Sequence, residues 1–293
     1  MDPKQLVMLA LQVSIIAIVF SFGLRSTTGD LLYLLRRPSL LGRSLLAMFV
    51  IMPMVAVALA RAFDFTPTVE IVLVALSIAP MPPLMPKRLD KAGGRHSFAI
   101  ALMATVALLS VAIVPAAVAL LGIYFGQPFA IDGIELAAII FKAALLPLAA
   151  GIAVSAFWPS VASRLAKPVA LVGNVLLILA ALASVGASLP ALWREIGNGT
   201  LIAIACFILI GIAVGHLLGG PDPLDRLDLA VATACRHPAI ALAIASSNFP
   251  EERFGATIVL YLLLGLILSL PYLMWQRRKA EAAAGGQHLS ESA

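Results

Sequence analysis

Two long apolar segments of this chain are interrupted by proline near their middles. The first covers residues 67–86, with a group of prolines around Pro82, and the second covers residues 227–249, with Pro238 at its centre. Proline removes a helical donor and clashes with the preceding turn, so neither segment is expected to form one continuous helix. Within a bilayer, broken backbone is tolerated only where protein or an aqueous cavity surrounds it. A matched pair of interrupted segments is typical of the binding site of a transporter built from inverted repeats.

The composition places the whole chain in a membrane. It is 61% hydrophobic and 12% charged, with a mean hydropathy of +1.03, whereas an ordinary soluble domain is roughly 25% charged. Apolar segments long enough to cross a hydrocarbon core of about 30 Å recur along the sequence. We therefore predict an all-α polytopic membrane protein with nine transmembrane helices, at residues 5–24, 39–62, 67–86, 96–123, 136–157, 164–187, 199–219, 227–249 and 253–276.

Several function classes are disfavoured by the same sequence. Nothing resembles a Walker motif, an HExxH motif or an intramembrane aspartate pair, so neither ATP-driven transport within this chain nor an enzyme is predicted. The net charge of +5 comes from cations in short loops and is not a nucleic-acid footprint. Cys206 and Cys235 both lie inside apolar segments, so we predict no disulfide framework and no metal site.

Loop charges give a predicted orientation. If the N-terminus is outside, most of the 20 lysines and arginines fall in inner loops, so we expect a multi-pass protein of the cell (inner) membrane with a cytoplasmic C-terminus. A short amphipathic stretch at 29–37 is predicted on the cytoplasmic surface. The Ala/Gly/Ser-rich tail, residues 280–293, is predicted to be disordered.

Placing the two broken spans in register predicts an inverted repeat. The third span then pairs with the eighth, so residues 136–279 form a five-span repeat and residues 1–123 form the same unit without its first helix. Because five is odd, the two units lie inverted in the bilayer, which is the arrangement of many alternating-access transporters.

Three stretches of the sequence carry a resemblance to a known family. They run from Phe20 to the Arg36-Arg37-Pro38 triplet, over Ser77-Ile78-Ala79-Pro80, and from Ala232 to Ala243. In these stretches the chain resembles the bile acid:sodium symporter family. The resemblance implies ten helices, or nine when the first is absent, in a panel domain and a core domain that contains two crossed, unwound helices. It also implies transport of organic anions such as bile acids, pantoate or keto acids, usually with sodium.

The sodium ligands that the resemblance implies are missing from this sequence. The family's sodium-coordinating Glu and Gln fall at Ala232 and Arg236, and its Ser-Asn pair falls at Met85 and Pro86. Sodium prefers oxygen ligands, and a guanidinium in the same place would repel it. We therefore expect no sodium coupling, although the resemblance implies sodium. A proton is the other coupling ion considered, and no further cofactor is predicted.

Arg236 is the most unusual residue of the sequence. It lies near the centre of the eighth span, where a charge costs about 2.5–3.5 kcal/mol on insertion scales, and no carboxylate of the sequence falls at that depth. One hypothesis is that it binds a substrate anion, assisted by the positive end of the half-helix that begins near Pro238. The other is that backbone carbonyls freed by Pro238 satisfy it, or that it stands in electrostatically for the lost sodium.

The predicted substrate contacts surround the two breaks. His237 is predicted as a substrate contact or proton carrier, or else as a neutral histidine bonded to unwound backbone. The cations after the first break are either ordinary loop charges or an inner vestibule that attracts anions; they are Lys87, Arg88, Lys91 and Arg95. The full predicted binding set is Arg236, His237, Thr233, Pro238, Pro82, Met85 and Pro86.

These observations predict a secondary transporter that moves a small or amphipathic organic anion by alternating access. Its partners would be that anion and the lipid bilayer, with no nucleic acid, and both a monomer and a homo-oligomer stay open. One alternative is an exporter of an arsenite-like oxyanion or auxin-like acid with a related fold, in which Cys235 would supply a thiol. Another is a receptor that keeps the transporter fold but moves nothing.

Overall fold

The computed structural model describes residues 3–125, 132–195 and 199–291. Fourteen α-helices occur in these ranges. The first seven are α1 (Pro3–Gly23), α2 (Thr28–Leu31), α3 (Pro38–Leu46), α4 (Met52–Ala62), α5 (Pro67–Ile78), α6 (Met85–Ala92) and α7 (His96–Phe125). The others are α8 (Gly133–Ile140), α9 (Leu146–Phe157), α10 (Pro159–Glu195), α11 (Thr200–Leu218), α12 (Pro223–Ala234), α13 (Pro238–Asn248) and α14 (Gly255–Glu291).

The all-helical polytopic membrane fold is confirmed. Within the described ranges, eight helical segments are long and apolar enough to cross a membrane. The third predicted span is not among them, because its apolar part, α5, has only 12 residues before the break. The number of nine spans and the inverted repeat of residues 1–123 and 136–279 stay predictions.

Both breaks occur in the segments where the sequence predicts them. The first separates Ile78 from Met85, and the second separates Ala234 from Pro238. A residue before proline is pushed out of the helical region, and Ala79 and His237 accordingly have extended backbone, with ψ of 144° and 106°. The predicted site residues Met85 and Pro86 lie in the first turn of α6 and not in the unwound stretch.

Two π-helical turns are also caused by prolines. They cover Ala47–Ile51, between α3 and α4, and Phe141–Leu145, between α8 and α9. A proline, Pro53 or Pro147, lies two residues after each turn. Because proline lacks an N–H and clashes with the preceding turn, the helix widens locally there. Each turn therefore leaves a backbone carbonyl without its helical donor.

One group of helices consists of α1, α9 and α10, which pack chiefly against one another. The closest approach is between Gly23 of α1 and Gly151 of α9, where a Cβ on Gly23 would lie 2.8 Å from the Cα of Gly151. Only glycine allows the two backbones to meet at this distance. The boundary between a panel domain and a core domain stays a prediction, and these three helices are the natural candidates for the panel.

The second group surrounds the broken helices. Helix α5 contacts α4 and α13, and α11 lies along α12. Gly211 of α11 permits this contact, because a Cβ there would lie 2.9 Å from the Cα of Ala234. Buried apolar side chains such as Leu76 and Phe207 fill the space between these helices.

An ionic network ties together one end of the bundle, which we call the basic end and which contains residues 24–37, 93–97 and 219–228. The carboxylate of Asp225, only 4% exposed, accepts from Arg37 Nη1 at 3.0 Å and from Arg95 Nε at 2.9 Å. The hydroxyl of Tyr33 also donates to Asp225, at 2.8 Å. Burial and this hydrogen bond raise the pKa of Tyr33 well above its usual value, so the phenol stays a donor. Three of the predicted inner loops therefore meet at one end of the molecule.

The amphipathic stretch 29–37 belongs to this network. It forms the short α2 and the turns after it, with Leu34 fully buried and Leu35 exposed. The hydroxyl of Ser97 donates to Asp30, and Ser26 Oγ lies 3.1 Å from His96 Nε2. The stretch is thus fixed to the start of α7.

The last helix runs into the tail. The backbone of α14 continues as far as Glu291, and the alanines and glutamate that begin at Ala280 are residues that favour helix. Disorder of the tail at 280–293 stays a prediction.

We predict that Asp225→Asn lowers the free energy of unfolding by about 1–3 kcal/mol, because it leaves two guanidinium groups without their shared buried carboxylate. The control is Asp222→Asn. Asp222 pairs only with Arg95 and is 34% exposed, and asparagine can still cap α12 as Asp222 does. Unfolding in detergent followed by intrinsic fluorescence should show a clearly smaller loss for the control. Equal losses would mean that Asp225 does not organise the network.

Candidate binding site at the crossing of the broken helices

The two breaks meet. The backbone N–H of His237, in the second break, donates to the carbonyl oxygen of Pro80, in the first, at 2.8 Å. Helices α5 and α12 end at this crossing, and α6 and α13 begin at it. Carbonyl groups are therefore left over at two helix ends and N–H groups at two helix starts. The crossing offers acceptors on one side and positive dipole ends on the other.

Arg236 fills the acceptor side. Its side chain is fully buried, with Nη2 donating to the Met48 carbonyl at 2.6 Å and Nη1 donating to the Ala79 carbonyl at 3.3 Å. Neither carbonyl has a helical donor available. Ala79 follows the end of α5 and precedes a proline, while Met48 lies in the first π-helical turn.

The proline at position 53 explains why the Met48 carbonyl is free. The N–H of Met52 donates to Ala47, five residues back. The next donor in this register would be residue 53, but Pro53 has no N–H. Arg236 supplies the missing donor from the second break.

The backbone of Arg236 is fixed by a tyrosine. The N–H of Arg236 donates to the hydroxyl oxygen of Tyr261 at 2.7 Å, and this hydroxyl donates to the Ala234 carbonyl at 2.7 Å. Nε of Arg236 and Oγ1 of Thr233 are buried and have no hydrogen-bond partner among the described residues. Among the residues that the structure describes, no carboxylate pairs with Arg236. Of the two hypotheses for this arginine, the contacts favour the one in which backbone carbonyls bind it. These carbonyls belong to Met48 and Ala79 and are not the ones that Pro238 was expected to free.

The other predicted contacts divide into accessible and enclosed residues. Pro82 and Pro238 are partly exposed at the crossing. Thr233 and Met85 are buried, and Met85 packs in one apolar cluster with Ala232 and Cys235. Pro86 is buried as well. Nδ1 of His237 accepts from the N–H of Ile240 at 3.4 Å and caps α13, which favours a neutral ring bonded to backbone.

A second guanidinium lies at the crossing and is more accessible. Arg88 of α6 is partly exposed, and its Nη1 donates to the thiol of Cys235 at 3.0 Å. Its Nη2 donates to the Gly265 carbonyl at 2.9 Å and to the hydroxyl of Ser269, both on α14. No described carboxylate pairs with Arg88. Arg88 and Arg236 thus flank Cys235 from two sides.

The cations that follow the first break therefore separate in the structure. Arg88 turns back to the crossing, whereas Arg95 joins the ionic network at the basic end. The side chains of Lys87 and Lys91 lie outside the described residues. Sequence reasoning considered Arg88 only as one of four loop or vestibule charges, and it missed Tyr261 and Met48 entirely. The sequence contained two signals, which are Tyr261, one of two tyrosines in the last span, and Pro53 within the second span.

An apolar cleft of about 240 Å³ opens between α5, α7 and α13. Its lining begins at Ile78, beside the first break, and includes Val74 and Val118. Glu70 and Asn248 are its polar residues. Because the lining contains no cation, the cleft is not where a negative group would be recognised, and the charged groups of the crossing are the better candidate.

Comparison with known proteins identifies the family of the chain. The family described as "Sodium Bile acid symporter family" matches residues 12–192, more than half of the chain. The chain belongs to this family. The resemblance found in the sequence is thereby confirmed. The family is one of membrane transporters.

Two curated relatives of this symporter family are similar over most of their length. The mouse (Mus musculus) "Sodium-dependent organic anion transporter" is 25% identical over 282 residues, which cover 89% of this chain and 72% of the relative. The rat (Rattus norvegicus) protein of the same name is also 25% identical over 282 residues, covering 89% and 73%. Together with the family, they support a membrane transporter of the organic-anion symporter type.

We predict that Pro53→Ala destabilises the protein, although removing a proline from a helix is ordinarily favourable. With an N–H at position 53 the turn can close as regular α-helix, and the Met48 carbonyl then accepts from the backbone. Arg236 would lose its shorter hydrogen bond while remaining buried, at a cost of about 1–3 kcal/mol.

The matched control is Pro147→Ala, which follows the second π-helical turn, where no arginine is bonded to a carbonyl. Thermal unfolding in detergent should show a lower midpoint for Pro53→Ala and an unchanged or higher midpoint for Pro147→Ala. A stabilised Pro53→Ala variant would show that Arg236 does not depend on the widened turn.

Proposed function

We propose that this protein is a secondary transporter that moves a small or amphipathic organic anion across the membrane by alternating access. The anion would bind at the crossing of the broken helices, with Arg88 as its cationic anchor. Membership of the symporter family and the similarity to organic anion transporters support the substrate class. The observation that carries the proposal is a partly exposed, carboxylate-free guanidinium beside the two breaks.

Arg88 is better placed than Arg236 to bind an anion, because the hydrogen bonds that Arg88 makes now are easier to replace. A thiol is a weak acceptor, so a carboxylate, sulfonate or sulfate oxygen would bind the Nη1 of Arg88 more strongly than Cys235 does. Arg236, in contrast, is fully buried and already donates to two carbonyl oxygens. Exchanging those bonds for an anion would leave two buried acceptors unsatisfied.

The helix starts at the crossing would favour the same ligand. Helices α6 and α13 both begin at the crossing, so their positive ends would favour an anion there, and Arg88 lies on the first of them. Ala239, in the first turn of α13, is exposed, which leaves this helix start accessible. Broken helices that direct their N-terminal ends at an anionic group are a recurring arrangement in secondary transporters.

Alternating access would then be a movement between two groups of helices. Helices α1, α9 and α10 would act as the panel, and the helices around the crossing would act as the core. Glycine contacts such as Gly23 with Gly151 hold the panel together internally. This division leaves the anion site within the moving core.

We predict that Arg88→Gln raises the KM for anion uptake about tenfold or more, since a charge-assisted hydrogen bond contributes about 1.5–3 kcal/mol. The measurement is initial uptake into proteoliposomes, with cholate, taurocholate and a series of smaller carboxylates as probes. Arg88→Lys should restore part of the affinity, because it keeps the charge and loses the planar pair of donors. The control is Arg164→Gln, an exposed arginine of α10.

The outcomes separate the candidate functions. Uptake that is unchanged in Arg88→Gln would remove Arg88 from the site. Saturable anion binding to the purified protein without any uptake would favour the receptor alternative over the transporter.

A further inference from the structure

The acceptor side of the crossing is where a transporter of this architecture would hold a cation. The C-terminal ends of broken helices and unwound carbonyls are the usual ligands of a coupling ion in inverted-repeat transporters. Here the ends of α5 and α12 and the widened turn at Met48 supply such carbonyls. Sodium is the ion that the family name implies.

The residues present do not fit sodium. Ala232 and Met85 carry no side-chain oxygen and lie in one apolar cluster. Pro86 is buried and has no polar side-chain atom. The Met48 and Ala79 carbonyls, which are hard oxygen acceptors, are occupied by the guanidinium of Arg236, at 2.6 and 3.3 Å. A cation placed against them would meet a like charge.

We propose that Arg236 is a tethered cation that takes the place of the coupling ion, so that the protein transports its substrate without sodium. The transport part of this inference rests on the proposed function above. The structural part is independent of it, because it concerns only what holds the two breaks together.

The charge balance supports this assignment. Two helix C-termini and two freed carbonyls make the acceptor side electronegative, and no described carboxylate contributes to it. One positive charge compensates these partial charges. Arg236 delivers that charge on a covalent tether from within the second break, with its backbone fixed by Tyr261.

The tether has a consequence for coupling. An ion gradient drives transport only if the ion binds on one side and dissociates on the other, with an affinity linked to that of the substrate. A guanidinium attached to the chain never dissociates. Arg236 can therefore hold the crossing together through the whole transport cycle, but a sodium gradient cannot drive transport through it.

The first test compares thermal unfolding midpoints in sodium chloride and in choline chloride of equal ionic strength. Wild type should give the same midpoint in both salts within about 1 °C. Arg236→Ala should unfold about 5 °C or more below wild type. Its midpoint should recover partly in sodium chloride or in low millimolar guanidinium chloride, but not in choline chloride or in urea, the neutral analogue of guanidinium.

Two further variants make this test decisive. Arg236→Lys keeps a tethered charge, so it should unfold above Arg236→Ala and stay indifferent to sodium. Arg88→Ala removes the other guanidinium of the crossing and should gain nothing from sodium or guanidinium. If Arg236→Ala does not fold at all, a folded, sodium-indifferent Arg236→Lys supports the inference. The inference is overturned if Arg236→Lys unfolds at the same midpoint as Arg236→Ala. It is also overturned if neither sodium nor guanidinium raises the midpoint of Arg236→Ala.

The second test measures uptake by wild type in proteoliposomes, with sodium replaced by choline on both sides. We expect initial rates that agree within twofold. A rate that falls more than about fivefold without sodium overturns the inference and leaves the proposed transport standing. If no anion is taken up in either salt, the proposed function fails, and the unfolding measurements alone decide the position of Arg236.

Discussion

The guanidinium of Arg236 joins backbone segments that proline has deprived of their helical hydrogen bonds. It donates to Ala79 at the end of α5 and to Met48 in the widened turn before α4, and it belongs itself to the second break. Polar backbone groups without partners are very costly at membrane depth. A buried arginine without acceptors is costly for the same reason. The freed carbonyls of Ala79 and Met48 need the guanidinium of Arg236, and the guanidinium needs these carbonyls. This mutual dependence fixes how the two broken helices cross.

The crossing separates two electrostatic tasks that a sodium-coupled transporter combines. On the side where α5 and α12 end, partial negative charges require a cation, and Arg236 supplies it. On the side where α6 and α13 begin, partial positive charges favour an anion, and Arg88, on α6, carries a full charge. The family is named for sodium and bile acid, and in our proposal this member keeps an anion site while Arg236 occupies the cation side.

Much of this arrangement was predictable from the sequence. The prolines place both breaks, and the isolated charge of Arg236 marks the depth at which they cross. The partners of Arg236 were not predictable, because Met48 becomes an acceptor only through a local widening of the helix before Pro53. Arg88 was predicted only as one of four loop or vestibule cations, because a cation near the end of a span fits the inner-loop rule. Only the three-dimensional path of α6 shows that Arg88 turns back to Cys235.

A double-mutant cycle between Arg236 and Pro53 tests the central claim most directly. The free energies of unfolding of wild type, Arg236→Ala, Pro53→Ala and the double variant would be compared in one detergent. If Arg236 depends on the carbonyl that Pro53 leaves free, Pro53→Ala should cost nothing once Arg236 is absent, with a coupling energy of about 1 kcal/mol or more. Additive effects within about 0.5 kcal/mol would show that the two residues act independently and would contradict the account.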